Sequence, residues 1–228
     1  MSNLIIGKNN QDELVSLELP SLTVVTGDKL SGKTFFIRTA SGRITDGKVL
    51  LLTNKPDSYH GLGETFIHVD KENTIVDVQE KLTIIDLLSL YEDDPEHLLA
   101  KVMGSVVEFV QEGDLVVVDE IYPYLRDDRN KYSLLKMVED VLAIGVSVIV
   151  TTNQNQLFID EGSVILEDCD NCLILLQSKE TALALAEKYG EERGKYELER
   201  YYDTFEFGKG LLIKKDGEIN FIEIGAAL

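Results

Sequence analysis

Gly27-Asp28-Lys29-Leu30-Ser31-Gly32-Lys33-Thr34 is the stretch of this chain best suited to chemistry, and the chemistry is the gripping of phosphate. It is a complete G-x-x-x-x-G-K-[ST], entered by the apolar run Leu22–Thr26 and left by a helix expected over Ser31–Ala40. Gly27 and Gly32 allow the turns that aim successive backbone N–H groups, those of Asp28, Lys29, Leu30 and Ser31 among them, at phosphate oxygens. The helix N-terminus adds a partial positive charge beneath them. Lys33 is expected to reach the β- and γ-phosphates of ATP, and the Thr34 hydroxyl to ligate Mg²⁺. Without the flanking strand and helix, these residues would be an ordinary glycine-rich turn. With them, they predict a nucleoside triphosphate site.

A second candidate follows the apolar run Leu115–Val118, which ends in Asp119 and Glu120. Carboxylates at the C-terminal tip of a buried parallel strand lie where ligands collect in open α/β sheets. Asp119 is expected to hold Mg²⁺ through its water shell, completing the metal site with Thr34. Glu120 is placed to orient and deprotonate the attacking water, so that Glu120 and Lys33 form the catalytic set. Acids also simply cap strand ends, and it is the full phosphate loop upstream that favours the functional reading. A third run, Ser147–Thr152, ends in Asn153 and Gln154. Gln154 there can sense the γ-phosphate. A polar strand end starting a turn explains the same residues equally well.

Positioning such groups needs a particular scaffold. Apolar runs of strand length recur at Leu22–Thr26, Val49–Thr53, Leu115–Val118, Val146–Thr151 and Leu173–Leu176, mostly unbroken and rich in Val and Ile. That pattern suits strands buried on both faces of a parallel sheet. Helices are expected between them. Pro95–Gln111 carries Leu98, Leu99, Val102, Met103, Val106, Val107 and Val110 on one face, with Asp94 as cap and Gly113 at its exit. A further helix carries Leu134, Leu135, Val138, Val141 and Leu142 and stops at Gly145. After a helix near Lys179–Lys188, Lys195–Tyr202 and Gly210–Ile224 read as antiparallel strands, the latter turned at Asp216-Gly217. The fold class is therefore α/β: a mainly parallel sheet flanked by helices, with an antiparallel C-terminal extension. With 228 residues, four prolines and no linker-like tract, residues 1–228 read as one domain.

The bulk numbers limit the partners. A net charge of −19 repels nucleic-acid backbones at long range, so strong non-specific binding would need a local basic patch. No run approaches the ~18 apolar residues that span a bilayer, and the N-terminus has no secretory pattern, so a cytoplasmic protein without a membrane span is expected. Cys169 and Cys172 form one CxxC, short of the four ligands of a zinc site; two small residues opening a buried strand is the favoured reading, ahead of a metal or redox pair.

The phosphate loop, the strand ending in Asp119 and the strand end Thr152-Asn153-Gln154, in that order, resemble the RecA/RadA/KaiC superfamily of P-loop ATPases, nearest to archaeal RadA paralogues and KaiC-like single-domain proteins. The resemblance covers nearly the whole chain. It implies a RecA-like ATPase core, often oligomeric, with ATP at subunit boundaries. Three features depart from the family. Val49–Thr53 runs into Asn54-Lys55-Pro56-Asp57 where a catalytic glutamate is usual, leaving hydrolysis to Glu120. Of the Lys-x-Arg pair offered to a neighbour's ATP, Arg200-Tyr201-Tyr202 keeps one basic residue. With the phosphate strand about twenty residues in, no N-terminal DNA-binding domain or oligomerisation linker is expected.

Two functions follow as expectations. One is a slow Mg²⁺-dependent ATPase serving as an accessory factor in homologous recombination and DNA repair, with a RecA-family partner. Tyr122, Tyr124, Arg126, Arg129, Lys131 and Tyr132 interleave bases with aromatics as single-stranded DNA binding requires. Asp127 and Asp128 in that stretch, and Asp160, Glu161, Glu167 and Asp168 in the later loop, oppose a phosphate backbone, which favours a solvated loop. The other is a nucleotide-gated regulator or scaffold, KaiC-like or motility-complex-like, whose homo-oligomeric assembly responds to ATP without direct DNA contact. Tyr59 is a candidate adenine contact.

Overall fold

The computed structural model describes residues 2–62, 65–69, 81–88, 95–120, 128–153 and 169–225. The architecture is α/β, with mixed, mostly parallel β-structure flanked by helices. Contacts divide the chain into two compact units, Met1–Arg43 with Thr151–Leu228, and Ile44–Val150.

In the first unit, β1 (Ser2–Asn9) and β2 (Leu14–Leu19) form a hairpin, and β3 is the phosphate strand Leu22–Thr26. β9 (Asn171–Leu175) pairs parallel with β3, which is buried along its whole length. β10 (Lys209–Lys214) and β11 (Ile219–Ile224) continue antiparallel, and β1 closes on β11. The turn between β10 and β11 contains Gly217 at φ 88°, a left-handed conformation glycine adopts without a Cβ penalty. Helix α1 (Lys33–Arg43) packs on β1 and β11 through Phe36, Ile37 and Ala40.

The second unit is parallel throughout its described pairs. β4 (Val49–Thr53) lies between β6 (Leu82–Asp86) and β7 (Leu115–Val118), β5 (Thr65–His68) pairs with β6, and β8 (Ser147–Thr152) pairs with β7 through residues 147–150. β4 and β7 are buried at every position, as unbroken apolar runs require. Helices α2 (Pro95–Phe109) and α3 (Asp128–Ala143) pack on each other. Leu98, Leu99, Val102, Met103, Val106 and Val110 are buried as their spacing predicts, and Val107 is half-buried. On α3, Leu134, Val138 and Val141 are buried, and Leu135 and Leu142 half-buried. The cap assigned to Asp94 lies outside the described residues.

One predicted strand is helical. Lys195–Tyr202 continues α4, which runs Lys179–Tyr201 and is kinked at Glu191 (φ 53°, ψ −152°). Alternating aromatic and charged residues there imitate a strand, but Gly194 decides otherwise. A Cβ at Gly194 would lie 2.3 Å from the Ala186 carbonyl oxygen, so glycine lets the segment after the kink close on the one before it. Leu198 is then fully buried, and Tyr201 stacks on Phe221 of β11 at 5.0 Å. Arg200 accordingly sits on a helix, 3.8 Å from Glu197 and over the Tyr201 ring. The hairpin β1–β2 and the strands β5 and β6 have no counterpart among the runs picked out from sequence, because β1, β2 and β5 mix polar and apolar residues along their length.

Candidate functional site

The phosphate loop follows β3 and is shaped by two unusual backbones. Leu30 has φ 65° and Gly32 has φ 108°, so the helix begins at Lys33 rather than at Ser31. Gly27 N–H donates to Thr152 O at 3.3 Å and Asp28 N–H to Leu176 O at 3.0 Å, pinning the loop's entry. The N–H groups of Lys29, Leu30 and Gly32 have no acceptor among the described residues. Lys33 and Thr34 open α1. The Ser31 hydroxyl oxygen is buried with no hydrogen-bond partner among the described residues. A Cβ at Gly27 would sit 2.4 Å from that oxygen, so the cradle admits only glycine. Lys33 Nζ folds over the loop and donates to Gly27 O at 2.5 Å and Asp28 O at 2.8 Å. The turn therefore carries amides without acceptors among the described residues, one ammonium and the hydroxyls of Ser31 and Thr34 within a few residues, a donor set that fits a phosphate chain.

The loop is braced from within its own unit. Gln177, just after β9, donates from Nε2 to Thr26 Oγ1 at 3.2 Å, and its carbonyl accepts from the Tyr202 hydroxyl at 2.7 Å. Gly208 N–H donates to Ser31 O at 3.5 Å. Gln177, Phe207 and Gly208 escaped sequence reasoning. Nothing in a local motif marks residues that reach the loop from far along the chain.

In the second unit, Asp119 and Glu120 stand at the C-terminal tip of β7, each 6% exposed. Asp119 N–H donates to Leu52 O at 2.9 Å, which extends the β4–β7 ladder to the acids themselves. The Thr53 hydroxyl donates to Asp119 Oδ2 at 3.2 Å and in turn accepts the Lys55 N–H at 3.0 Å. One carboxylate oxygen is thereby oriented by the end of β4. Glu120 has φ 62°, a left-handed backbone that costs a residue with a Cβ roughly 1 kcal/mol and is found preferentially at functional turns. Its Oε2 lies 4.0 Å from Lys55 Nζ. Lys55, two residues past β4, thus presents a cation to Glu120.

Oxygen donors of this kind suit Mg²⁺, which keeps most of its shell as water and phosphate and takes one or two protein oxygens. Thr34 offers a hydroxyl in the first unit and Asp119 a carboxylate in the second. Among the described residues, no group of three or more His, Cys, Asp or Glu side chains could cage a metal on its own.

Other sequence candidates fare differently. Tyr59 is fully buried in the second unit, in the short helical turn Pro56–Tyr59, so it is a core residue and not an adenine contact. Gln154, Tyr122, Tyr124, Arg126, Asp127, Asp160, Glu161, Glu167 and Asp168 lie outside the described residues. Lys131 and Tyr132 lie on α3 rather than in a loop, Tyr132 being 69% exposed. No helix among the described residues is long and apolar enough to cross a membrane.

Cys169 and Cys172 are not joined in a disulfide and both are buried, Cys172 on β9. Burial, and then the neighbouring Cys169, push the Cys172 thiol well above its usual range. Cys172 is therefore expected to resist maleimide at pH 8 in the folded protein and to react once urea unfolds it. Rapid labelling of the native Cys172, read by mass spectrometry, would contradict this burial.

Comparison with protein-family models and with curated proteins finds no match. Solved structures do match. The VirB4 structure of Thermoanaerobacter pseudethanolicus superposes with a TM-score of 0.75 at 12% identity, over 99% of this chain and 97% of that one. The cytoplasmic domain of the type VII secretion ATPase EccC of Thermomonospora curvata gives 0.65 at 12% identity, over 99% of this chain and 26% of that one. The genome packaging NTPase B204 of Sulfolobus turreted icosahedral virus 2, solved in complex with AMP, gives 0.60 at 13% identity, over 90% and 98%. The fold is that of P-loop ATPases at this coarse level. The structures named here are a VirB4, a type VII secretion ATPase and a genome packaging NTPase, so the likeness supports the P-loop fold and not the RecA/RadA/KaiC group specifically.

Proposed function

We propose that this protein binds Mg·ATP at residues 27–34 and turns it over slowly, the bound nucleotide governing its assembly with other subunits. The observation that carries the reading is the loop itself: unclaimed amides, a buried unpartnered Ser31 hydroxyl and the Lys33 ammonium converge after a buried strand. The sequence motifs assign Thr34 and Asp119 to the ion and Glu120 to the base that positions water. When bound, Mg²⁺ supplies neutralisation of charge on the phosphate oxygens. Thr53 holds the Asp119 carboxylate in one orientation, and Lys55 competes with water for Glu120, which favours slow turnover.

The finer reading, an accessory factor of homologous recombination, rests on the order of sequence motifs. The structural neighbours, a VirB4, a type VII secretion ATPase and a genome packaging NTPase among them, lend it no support, and the basic aromatic stretch that motivated DNA binding lies largely outside the described residues. The nucleotide-gated reading is accordingly preferred. Measuring turnover with titrated single-stranded DNA beside oligomer mass in ATP, ADP and no nucleotide tests both. Mass that changes with ATP while DNA leaves turnover flat is the expected result. Identical masses, with turnover rising on DNA, would reverse the preference.

A further inference from the structure

Beside the phosphate loop, within the same unit, lie two phenylalanine rings that the phosphate chemistry does not use. Phe35 directly follows Thr34 on the first turn of α1. Its ring lies close to the backbone of two glycines. A Cβ built on Gly208 would be 3.7 Å from it, and one built on Gly225 would be 2.7 Å away, both glycines having positive φ (78° and 70°). Phe207 leans on Phe35 with ring centroids 5.6 Å apart and planes tilted by 40°. Its own loop is tied to the phosphate loop: a Cβ on Gly32 would lie 2.9 Å from Gly208 N and 4.0 Å from Phe207 Cδ2. Phe207 is nevertheless 60% exposed.

A large apolar ring held in water beside an anion cradle is a surface for something flat and apolar that arrives with the anion. A nucleoside triphosphate has that form. Lys33 takes the β- and γ-phosphates, and the loop amides cradle the α- and β-phosphates. The nucleoside hangs from the α-phosphate, at the end of the chain away from the γ-phosphate, and Phe35 is the first side chain beyond Thr34. We propose that Phe207, braced by Phe35, is the platform on which the base of the bound nucleoside triphosphate stacks, and that the platform favours purines for their larger π-face. This rests on the reading of the loop as a nucleoside triphosphate site.

The test separates base from phosphate. Calorimetry compares ATP, CTP and inorganic tripolyphosphate, each with Mg²⁺, on the full chain and on Phe207→Ala. Phe207→Ala is expected to weaken ATP roughly 5- to 150-fold, the loss seen when a base–aromatic stack is removed, while leaving tripolyphosphate unchanged. The full chain is expected to prefer ATP over CTP, and the variant to lose that preference. The chain contains no tryptophan, so Phe207→Trp places a lone reporter on the platform. ATP is expected to quench its fluorescence and tripolyphosphate is not. Equal loss of ATP and tripolyphosphate in Phe207→Ala, or unchanged ATP binding with no quenching of the tryptophan, overturns the platform alone. A full chain that binds neither ATP nor tripolyphosphate removes the phosphate reading and the platform with it.

Discussion

Lys33→Ala is expected to abolish ATP binding while leaving the fold intact. The ammonium is the one positive side chain that the loop folds over its own carbonyls, donating to Gly27 O and Asp28 O. On binding, these bonds are exchanged for bonds to phosphate oxygens, which carry full negative charge and hold an ammonium more tightly than neutral carbonyls do. Charge-assisted hydrogen bonds contribute about 1.5–3 kcal/mol each. Losing two of them predicts affinity weaker by at least about a hundredfold, beyond the range of ordinary calorimetry. Alanine also removes an aliphatic stem, so Lys33→Met, which keeps the stem without the charge, separates packing from electrostatics. Both variants should unfold near the wild-type denaturant midpoint and neither should bind Mg·ATP. A wild-type binding isotherm from Lys33→Met would remove the lysine from the site.

Glu120→Gln should leave ATP affinity essentially unchanged and lower turnover by about 10²–10⁴-fold, the usual worth of a positioned general base. Glutamine keeps the shape and cannot take a proton from water. The left-handed backbone at this position offers an independent check on structure. Glu120→Gly and Glu120→Ala both delete the carboxylate, yet only glycine tolerates φ 62° freely. Glu120→Gly should therefore be more stable than Glu120→Ala by about 1 kcal/mol in urea titration, with turnover equally absent from both. Normal hydrolysis by Glu120→Gln would assign the base elsewhere, whatever the stability series shows.

Much was legible in the residues because it depends on neighbours along the chain. A glycine-rich turn between an apolar strand and a helix is local, so the loop from Gly27 to Thr34 could be read directly, as could β3, β4 and β7 to the residue. The acids at the end of β7 were found for the same reason. The helix face of α2 was found from its spacing. Where local pattern misled, a distant contact had overruled it. Residues 195–202 alternate like a strand, but the approach of Gly194 to Ala186 O and the burial of Leu198 hold them in a helix. Tyr59 looked like a loop aromatic and is core.

What the chain alone determined is the glycine-rich loop proposed to grip phosphate, the parallel strands around it and the acidic tip of β7. Each of these is set by spacing within a few residues, and hydrophobic periodicity is enough to place it. Tertiary structure alone decided which loop braces the cradle, that Thr53 orients Asp119, that Lys55 faces Glu120, and that Phe207 stands exposed beside Phe35. Those pairings join positions far apart in sequence, and they exist only once the strands have paired and brought their ends together.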